Sequence, residues 1–168
     1  MKCIACIDKN NGIGKNGKLL ISIPDDMKFF RETTKNSIVV MGRKTLYSFK
    51  NKMPLINRIN IVFTHDKQYM SNLPEYKGID NLYFISDKNE LNEILKNHQD
   101  KNVFIIGGEN IYNLLINDCD TLLLTIVDKI FDADTFFPDY DKMNFRLTNK
   151  SEDFYYEGLK YNFCTYKK

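Results

Sequence analysis

Val103-Phe104-Ile105-Ile106-Gly107-Gly108-Glu109-Asn110 is the stretch that decides the fold class of this chain. Four apolar residues in a row, three of them β-branched, read as a short strand buried on both faces. The glycine pair and the polar residues after it open a helix. Ile38-Val39-Val40-Met41-Gly42-Arg43-Lys44-Thr45 shows the same order of strand, glycine and helix start. A strand covered on both faces needs helices above and below its sheet, which is the α/β arrangement. Working outward, strands are predicted over 3–8, 37–41, 59–63, 82–85, 103–106 and 121–128, and helices over 24–34, 44–49, 88–97 and 110–116. The C-terminus differs, because 154–156 and 160–167 flank Glu157-Gly158 in the manner of an antiparallel hairpin. The expectation is one α/β domain over 1–168, with a mostly parallel central sheet, flanking helices and an antiparallel C-terminal hairpin.

A chain of 168 residues with twelve Phe and ten Tyr can bury a sizeable core. Its 24 basic and 22 acidic residues are spread along the chain, and no basic run or arm points to nucleic acid. No stretch approaches the length of a membrane span. The opening Met1-Lys2-Cys3-Ile4-Ala5-Cys6-Ile7-Asp8 is charged too soon for a signal peptide, so a cytoplasmic location is expected. Cys3 and Cys6 form a C-x-x-C inside the first strand, where residues three apart point to opposite faces, whereas a redox pair belongs at a helix start. Cys119 and Cys164 add no second close pair, and His65 and His98 are the only histidines. Zinc ligand spacing is therefore missing, no metal is expected, and the four cysteines read as buried free thiols.

Asp26 is the residue hardest to explain structurally. Ile23-Pro24-Asp25-Asp26-Met27-Lys28-Phe29-Phe30 reads as a helix start, and helical spacing puts Asp26 on one face with Phe29, Phe30 and Thr33, while Asp25 can turn to solvent. Full burial can raise a carboxyl pKa by roughly 3–5, while the helix N-terminus favours the anion by only about 0.3–1 kcal/mol. Burial should win, leaving an acid able to hold a proton near neutral pH. The plainer reading is a carboxylate that caps the helix.

Gly12-Ile13-Gly14-Lys15-Asn16-Gly17-Lys18 matches the dinucleotide fingerprint and nearly matches a P-loop. Both need a helix to follow, and Leu19-Leu20-Ile21-Ser22-Ile23-Pro24 reads as extended, so a flexible glycine-rich loop is expected instead. The turns at Gly42-Arg43-Lys44-Thr45 and Gly107-Gly108 are better phosphate sites, and two of them in one small α/β chain favour a dinucleotide.

Five blocks in order resemble the dihydrofolate reductase family over essentially the whole chain. They are Asn11-Gly12-Ile13-Gly14, Ile23-Pro24-Asp25-Asp26-Met27, Val40-Met41-Gly42-Arg43-Lys44-Thr45, Pro54-Leu55-Ile56-Asn57-Arg58-Ile59-Asn60 and Ile105-Ile106-Gly107-Gly108. Asp134-Thr135-Phe136-Phe137-Pro138 is a sixth. The resemblance implies NADPH-dependent reduction of 7,8-dihydrofolate to tetrahydrofolate, with hydride going to C6 of the pterin and a proton to N5. It implies that Asp26 and Thr125 carry the chemistry at the pterin, and that Arg58 takes the carboxylate of the glutamate tail. By the same resemblance Ile4, Ala5, Met27, Phe30 and Phe49, with Leu55, Ile106 and Tyr112, line the substrate pocket. The cofactor counterparts are Cys6, Ile13, Gly14, Leu19, Gly42, Arg43, Lys44 and Thr45. Phe63, Thr64, His65, Gly107, Gly108, Glu109, Asn110 and Ile111 complete them. Arg43 and His65 become candidates for the 2′-phosphate of NADPH, with Lys67 a weaker one. The family also implies a monomer, inhibition by antifolates and no membrane partner.

The chain departs from the family in having no tryptophan, with Leu20-Ile21 where a Pro-Trp pair is usual, and Met27 where leucine is common. The indole normally helps to hold an ordered water near the pterin, so antifolate affinities are expected to shift. Two rivals stand beside this reading, a riboflavin-pathway pyrimidine reductase and a non-catalytic nucleotide-binding module. Neither needs both Asp26 and Arg58.

Overall fold

The computed structural model describes residues 1–168. Strand β1 (Lys2–Ile7) is followed by the short strands β2 (Gly12–Lys15) and β3 (Lys18–Leu19), and then by α1 (Pro24–Thr33). Next come β4 (Ile38–Gly42), α2 (Arg43–Ser48), β5 (Ile59–Phe63), α3 (Lys67–Asn72), β6 (Leu82–Ile85) and α4 (Lys88–Lys96). Then β7 (Val103–Gly107) runs into α5 (Glu109–Leu115) and on to β8 (Thr121–Val127). The chain ends with β9 (Thr135–Phe136), β10 (Arg146–Lys150), β11 (Phe154–Tyr156) and β12 (Leu159–Lys167).

The main sheet has the order β10-β12-β8-β1-β7-β4-β5-β6, with β11 paired to β12. From β8 to β6 every neighbouring pair is parallel, and β12 joins β8 antiparallel, as expected from the sequence. Along β4 the side chains alternate between two apolar clusters. Ile38 and Val40 pack with Ile61 and Ile105, while Val39 and Met41 pack with Leu46, Val62 and Met70. Both faces are therefore covered, which is why β4 is apolar without interruption.

Five elements, β2, β3, α3, β9 and β10, lie outside the sequence reading, and one cysteine is less buried than expected. Residues 12–19 form a hairpin rather than a flexible loop, with Asn16 at φ 52° and Gly17 at φ 75°. Lys15 pairs with Lys18 across this two-residue Asn-Gly turn, and β9 pairs with β2 on its other side. Helix α3 escaped prediction because it is six residues long and buries only Met70, although Asp66 caps it by accepting from Tyr69 N at 2.9 Å. All five residues of β10 are exposed, so no apolar alternation marked it. The four cysteines are free, but Cys6 is only half-buried, and the Cys3 and Cys119 sulfurs lie 3.5 Å apart across 116 residues of sequence. No helix is long and apolar enough to cross a membrane, and no group of three or more His, Cys, Asp or Glu side chains is placed to hold a metal ion.

Candidate active site

Helix α1 starts without a side-chain cap. Its N-cap is Ile23, extended at φ −91° and ψ 122°, and Pro24 opens the first turn. Ile23 is 1% exposed and packs with Val127 and Tyr161, so the helix start is fixed by apolar burial. Both acids of the first turn then reach across to the sheet. Thr125 Oγ1 donates to Asp26 Oδ1 at 2.5 Å, and Tyr161 OH donates to Asp25 Oδ2 at 2.9 Å. Capping therefore does not explain Asp26. Asp25, expected to turn to solvent, is exposed but tied to Tyr161. Phe29 packs on Phe163 at 4.9 Å between ring centroids, yet no residue of α1 is fully buried, and Met27 is exposed. Beside Asp26, which meets the sheet through Thr125, Met27 is exposed and Phe30 half-buried, so α1 is only partly covered there.

Burial raises the Asp26 pKa above the ordinary aspartate value, and the Thr125 hydrogen bond opposes it only in part. Burial, with Asp26 adding to it, also pushes the neighbouring Cys6 thiol well up, so Cys6 stays a neutral wall. A carboxyl whose folded pKa lies above its unfolded value contributes stability below the unfolded pKa, and that contribution is lost as pH rises through the folded pKa. Asp26→Asn is therefore expected to raise the Tm at neutral pH and to give no gain well below the ordinary aspartate range. Thermal melts at the two pH values check this, and an unchanged or lower Tm at neutral pH contradicts it.

The strand register sets the rest of the site beside Asp26. Thr125 on β8 pairs with Cys6 on β1, Met41 on β4 pairs with Gly107 on β7, and Gly42 pairs with Phe63 on β5. The carboxyl ends of five neighbouring parallel strands thus line up, the usual ligand edge of an open α/β sheet. A register shift between Val40 and Met41 makes Ile106 the extra residue of β7, turned to the cluster of Val39 and Met41. Gly107 has φ +115°, and a Cβ there would lie 3.1 Å from the ring of Tyr112. Tyr112 is buried beneath that turn, donating its hydroxyl to Ile4 O at 2.7 Å, and Ile4 is also buried, while Ala5 is half-buried. A Cβ on Gly42 would lie 3.2 Å from Ile111. Packing accounts for these two glycines but not for Gly108, whose Cβ would meet only Thr45 Oγ1 at an ordinary 3.5 Å.

The other residues singled out from the sequence divide by exposure. Arg43, Lys44 and His65 are exposed, whereas Phe63, Thr64 and Ile111 are buried, and Glu109 and Asn110 begin α5. Because Gly42 pairs with Phe63, Arg43 and Thr64 leave adjacent strands side by side. Lys67 is ion-paired with Glu90, which weakens it as an anion ligand. In the hairpin Gly14 is buried, and a Cβ there would strike Lys18 O and Thr135 Oγ1 at 2.8 Å. Ile13 packs on the core, and Leu19 is 60% exposed. Ile21 packs against the cluster of Ile23, Val127 and Tyr161.

Arg58 lies at the other end of α1. Its Nε donates to Thr34 Oγ1 at 2.8 Å, Nη1 to Ile56 O at 2.7 Å and Nη2 to Arg31 O at 2.9 Å. Partial burial and the nearby Arg31 lower its pKa, but a guanidinium stays charged. Three of its five N–H groups are used, leaving two for a ligand. Phe49 and Leu55 line a groove of about 760 Å³ with Met53, Pro54 and Ile56 and with the polar Lys50, Asn51, Asn57 and Asn81, and neither Asp26 nor Arg58 is among its lining residues. Thr34, the C-cap of α1, lies eight positions after Asp26, about 12 Å along the axis. Helix α1 thus has a hydrogen-bonding acid at its start and a guanidinium bonded at its end. Tyr161 and Thr34, which position Asp25 and Arg58, were not found from the sequence, because a contact 136 or 24 residues away leaves no local pattern.

The family model of dihydrofolate reductase matches residues 1–168. The chain is similar to the dihydrofolate reductase of Ureaplasma parvum serovar 3, 31% identical over 168 residues, covering 100% of this chain and 98% of that one. It is also 32% identical to the dihydrofolate reductases of Heliothis virescens and Sus scrofa, covering 100% of this chain and 97% of each.

Proposed function

Because the chain belongs to the dihydrofolate reductase family and reduces dihydrofolate to tetrahydrofolate, we propose that NADPH is its reductant and Asp26 the group that serves the proton. The balanced reaction takes one hydride at C6 of the pterin and one proton at N5, and releases NADP⁺. When bound, NADPH supplies the hydride. The observation that carries this reading is the Asp26–Thr125 pair, a partly buried carboxyl at a helix start locked to a sheet hydroxyl, its pKa raised by that burial. Asp26 accepts from the pterin 2-amino group and N3, and Thr125 fixes the carboxyl for that role. Met27, Phe30, Phe49 and Leu55 provide apolar walls, and Arg58 takes the tail carboxylate with its two remaining N–H groups.

Gly108, whose bare backbone packing does not require, supports a cofactor backbone approaching the ends of β7 and β4. Arg43 and His65, exposed on adjacent strand ends, would hold the 2′-phosphate. The chain acts as a monomeric single domain in the cytoplasm and binds antifolates at the pterin site. The test is oxidation of NADPH or NADH on adding dihydrofolate, with tetrahydrofolate identified as product. Arg43→Ala is expected to raise the KM for NADPH roughly tenfold and leave that for NADH unchanged, the loss of one charge-assisted hydrogen bond. Equal change in both KM values contradicts the assignment of Arg43.

A further inference from the structure

Asp8 is a buried carboxylate that the chemistry at Asp26 does not use. It follows β1, is 2% exposed, and has no cationic side chain within ion-pair distance. Its partners are all backbone donors. Oδ1 accepts from Asn10 N at 2.8 Å and Gly12 N at 2.7 Å, and Oδ2 accepts from Phe131 N at 2.8 Å. Burying an anion is unfavourable unless such donors replace its water, and three directed N–H groups do so here. We propose that Asp8 is a positioning residue, a carboxylate clamp that sets the hairpin over the cofactor side of the site by bonding it to the segment 129–137. The cofactor part of this inference rests on the reading of NADPH as reductant.

The geometry around the clamp is close on both sides. A Cβ on Gly12 would lie 2.8 Å from Ala133 Cβ and 3.0 Å from both Asp8 oxygens, so residue 12 must be bare for the two segments to meet. Further bonds run the same way, from Lys9 N to Lys129 O at 3.0 Å, Phe137 N to Asn11 O at 2.7 Å and Asn16 N to Asp134 Oδ2 at 2.7 Å. Asp8 is the only one of these groups whose side chain reaches both segments from inside the fold. Just beyond it, Ile13, Leu19 and Ile21 close with Cys6 and Val127 around a small cleft at the ends of β1 and β8. Residues Ile13, Gly14 and Leu19 are those assigned to the cofactor, whereas Asp26 and Arg58 are held by other elements. Loosening the hairpin should therefore weaken cofactor binding and spare pterin binding.

Asp8→Asn keeps the shape but turns one acceptor into a donor facing an N–H. Two readouts on the full chain test the proposal. Amide hydrogen exchange without ligand is expected to accelerate at Gly12, Phe131 and the hairpin in the variant, with α1 and α4 unchanged. NADPH affinity by fluorescence titration is expected to fall at least about tenfold, with dihydrofolate affinity within about twofold of wild type. If Asp8→Asn does not fold, Gly12→Ala, which crowds the clamp with the carboxylate intact, is expected to give the same pair of results. Unchanged exchange at residue 12 and residue 131 overturns the clamp. Faster exchange with both ligands weakened equally overturns its bearing on the cofactor. Wild-type protein that takes dihydrofolate but no NADPH refutes the cofactor assignment itself, and the exchange result still decides the clamp.

Discussion

Asp26→Asn is expected to lower kcat/KM for dihydrofolate by roughly 10²–10⁴ at neutral pH, the range for removing a positioned acid–base group. The substitution is nearly isosteric, and the Thr125 hydroxyl that now donates at 2.5 Å can donate equally to an amide oxygen. The helix start is held by Ile23 and by the Tyr161–Asp25 bond, neither of which is altered. The loss is thus chemical rather than structural, and the higher Tm expected for the same variant at neutral pH separates the two. NADPH affinity should stay within about twofold of wild type, because the glycine turns sit on β4 and β7. Steady-state kinetics beside direct NADPH binding checks this. A loss below about tenfold would mean that Asp26 is not the group that serves the proton.

Arg58→Leu is expected to raise the KM for dihydrofolate by roughly 10–10², matching the loss of a charge-assisted, two-pronged contact with a carboxylate, while kcat changes little. The prediction needs a control, because Arg58 also bonds Thr34, Ile56 and Arg31 within the protein. A dihydropterin without the glutamate tail supplies it. If Arg58 binds the tail, the tailless compound is equally poor with wild type and variant. If Arg58 only stitches α1 to the segment before β5, both compounds lose together. Arg58→Lys should recover part of the affinity at most, since an ammonium lacks the planar fork.

Much of the fold was legible in the sequence because its strands carry their own burial pattern. The unbroken apolar runs of β4 and β7 identify strands covered on both faces, and the glycines at their ends mark where the chain turns. The features that were not legible share a different cause. Strand β10 is wholly exposed, so nothing in its composition distinguishes it from a loop. The hairpin 12–19 did carry a signal, Asn16-Gly17, but the glycines on either side resembled a phosphate loop and masked it. At the site, Asp26 was visible because a carboxylate on an aromatic-bearing helix face needs an explanation. Asp8 was not, since a lone acid at the end of a strand looks like any turn residue until Phe131 is brought to it from 123 positions away. Sequence reports which residues are costly to place; only the folded chain reports which distant backbone groups offset that cost.

The most direct test is the pH dependence of NADPH oxidation with dihydrofolate, measured in wild type and Asp26→Asn. The wild-type rate should hold through the acid range and fall as pH rises past a midpoint above the ordinary aspartate value, because burial raises that carboxyl. The variant should lack that midpoint and recover partly on acidification, where solvent can protonate the substrate. Profiles with the same midpoint in both proteins would contradict the role of Asp26.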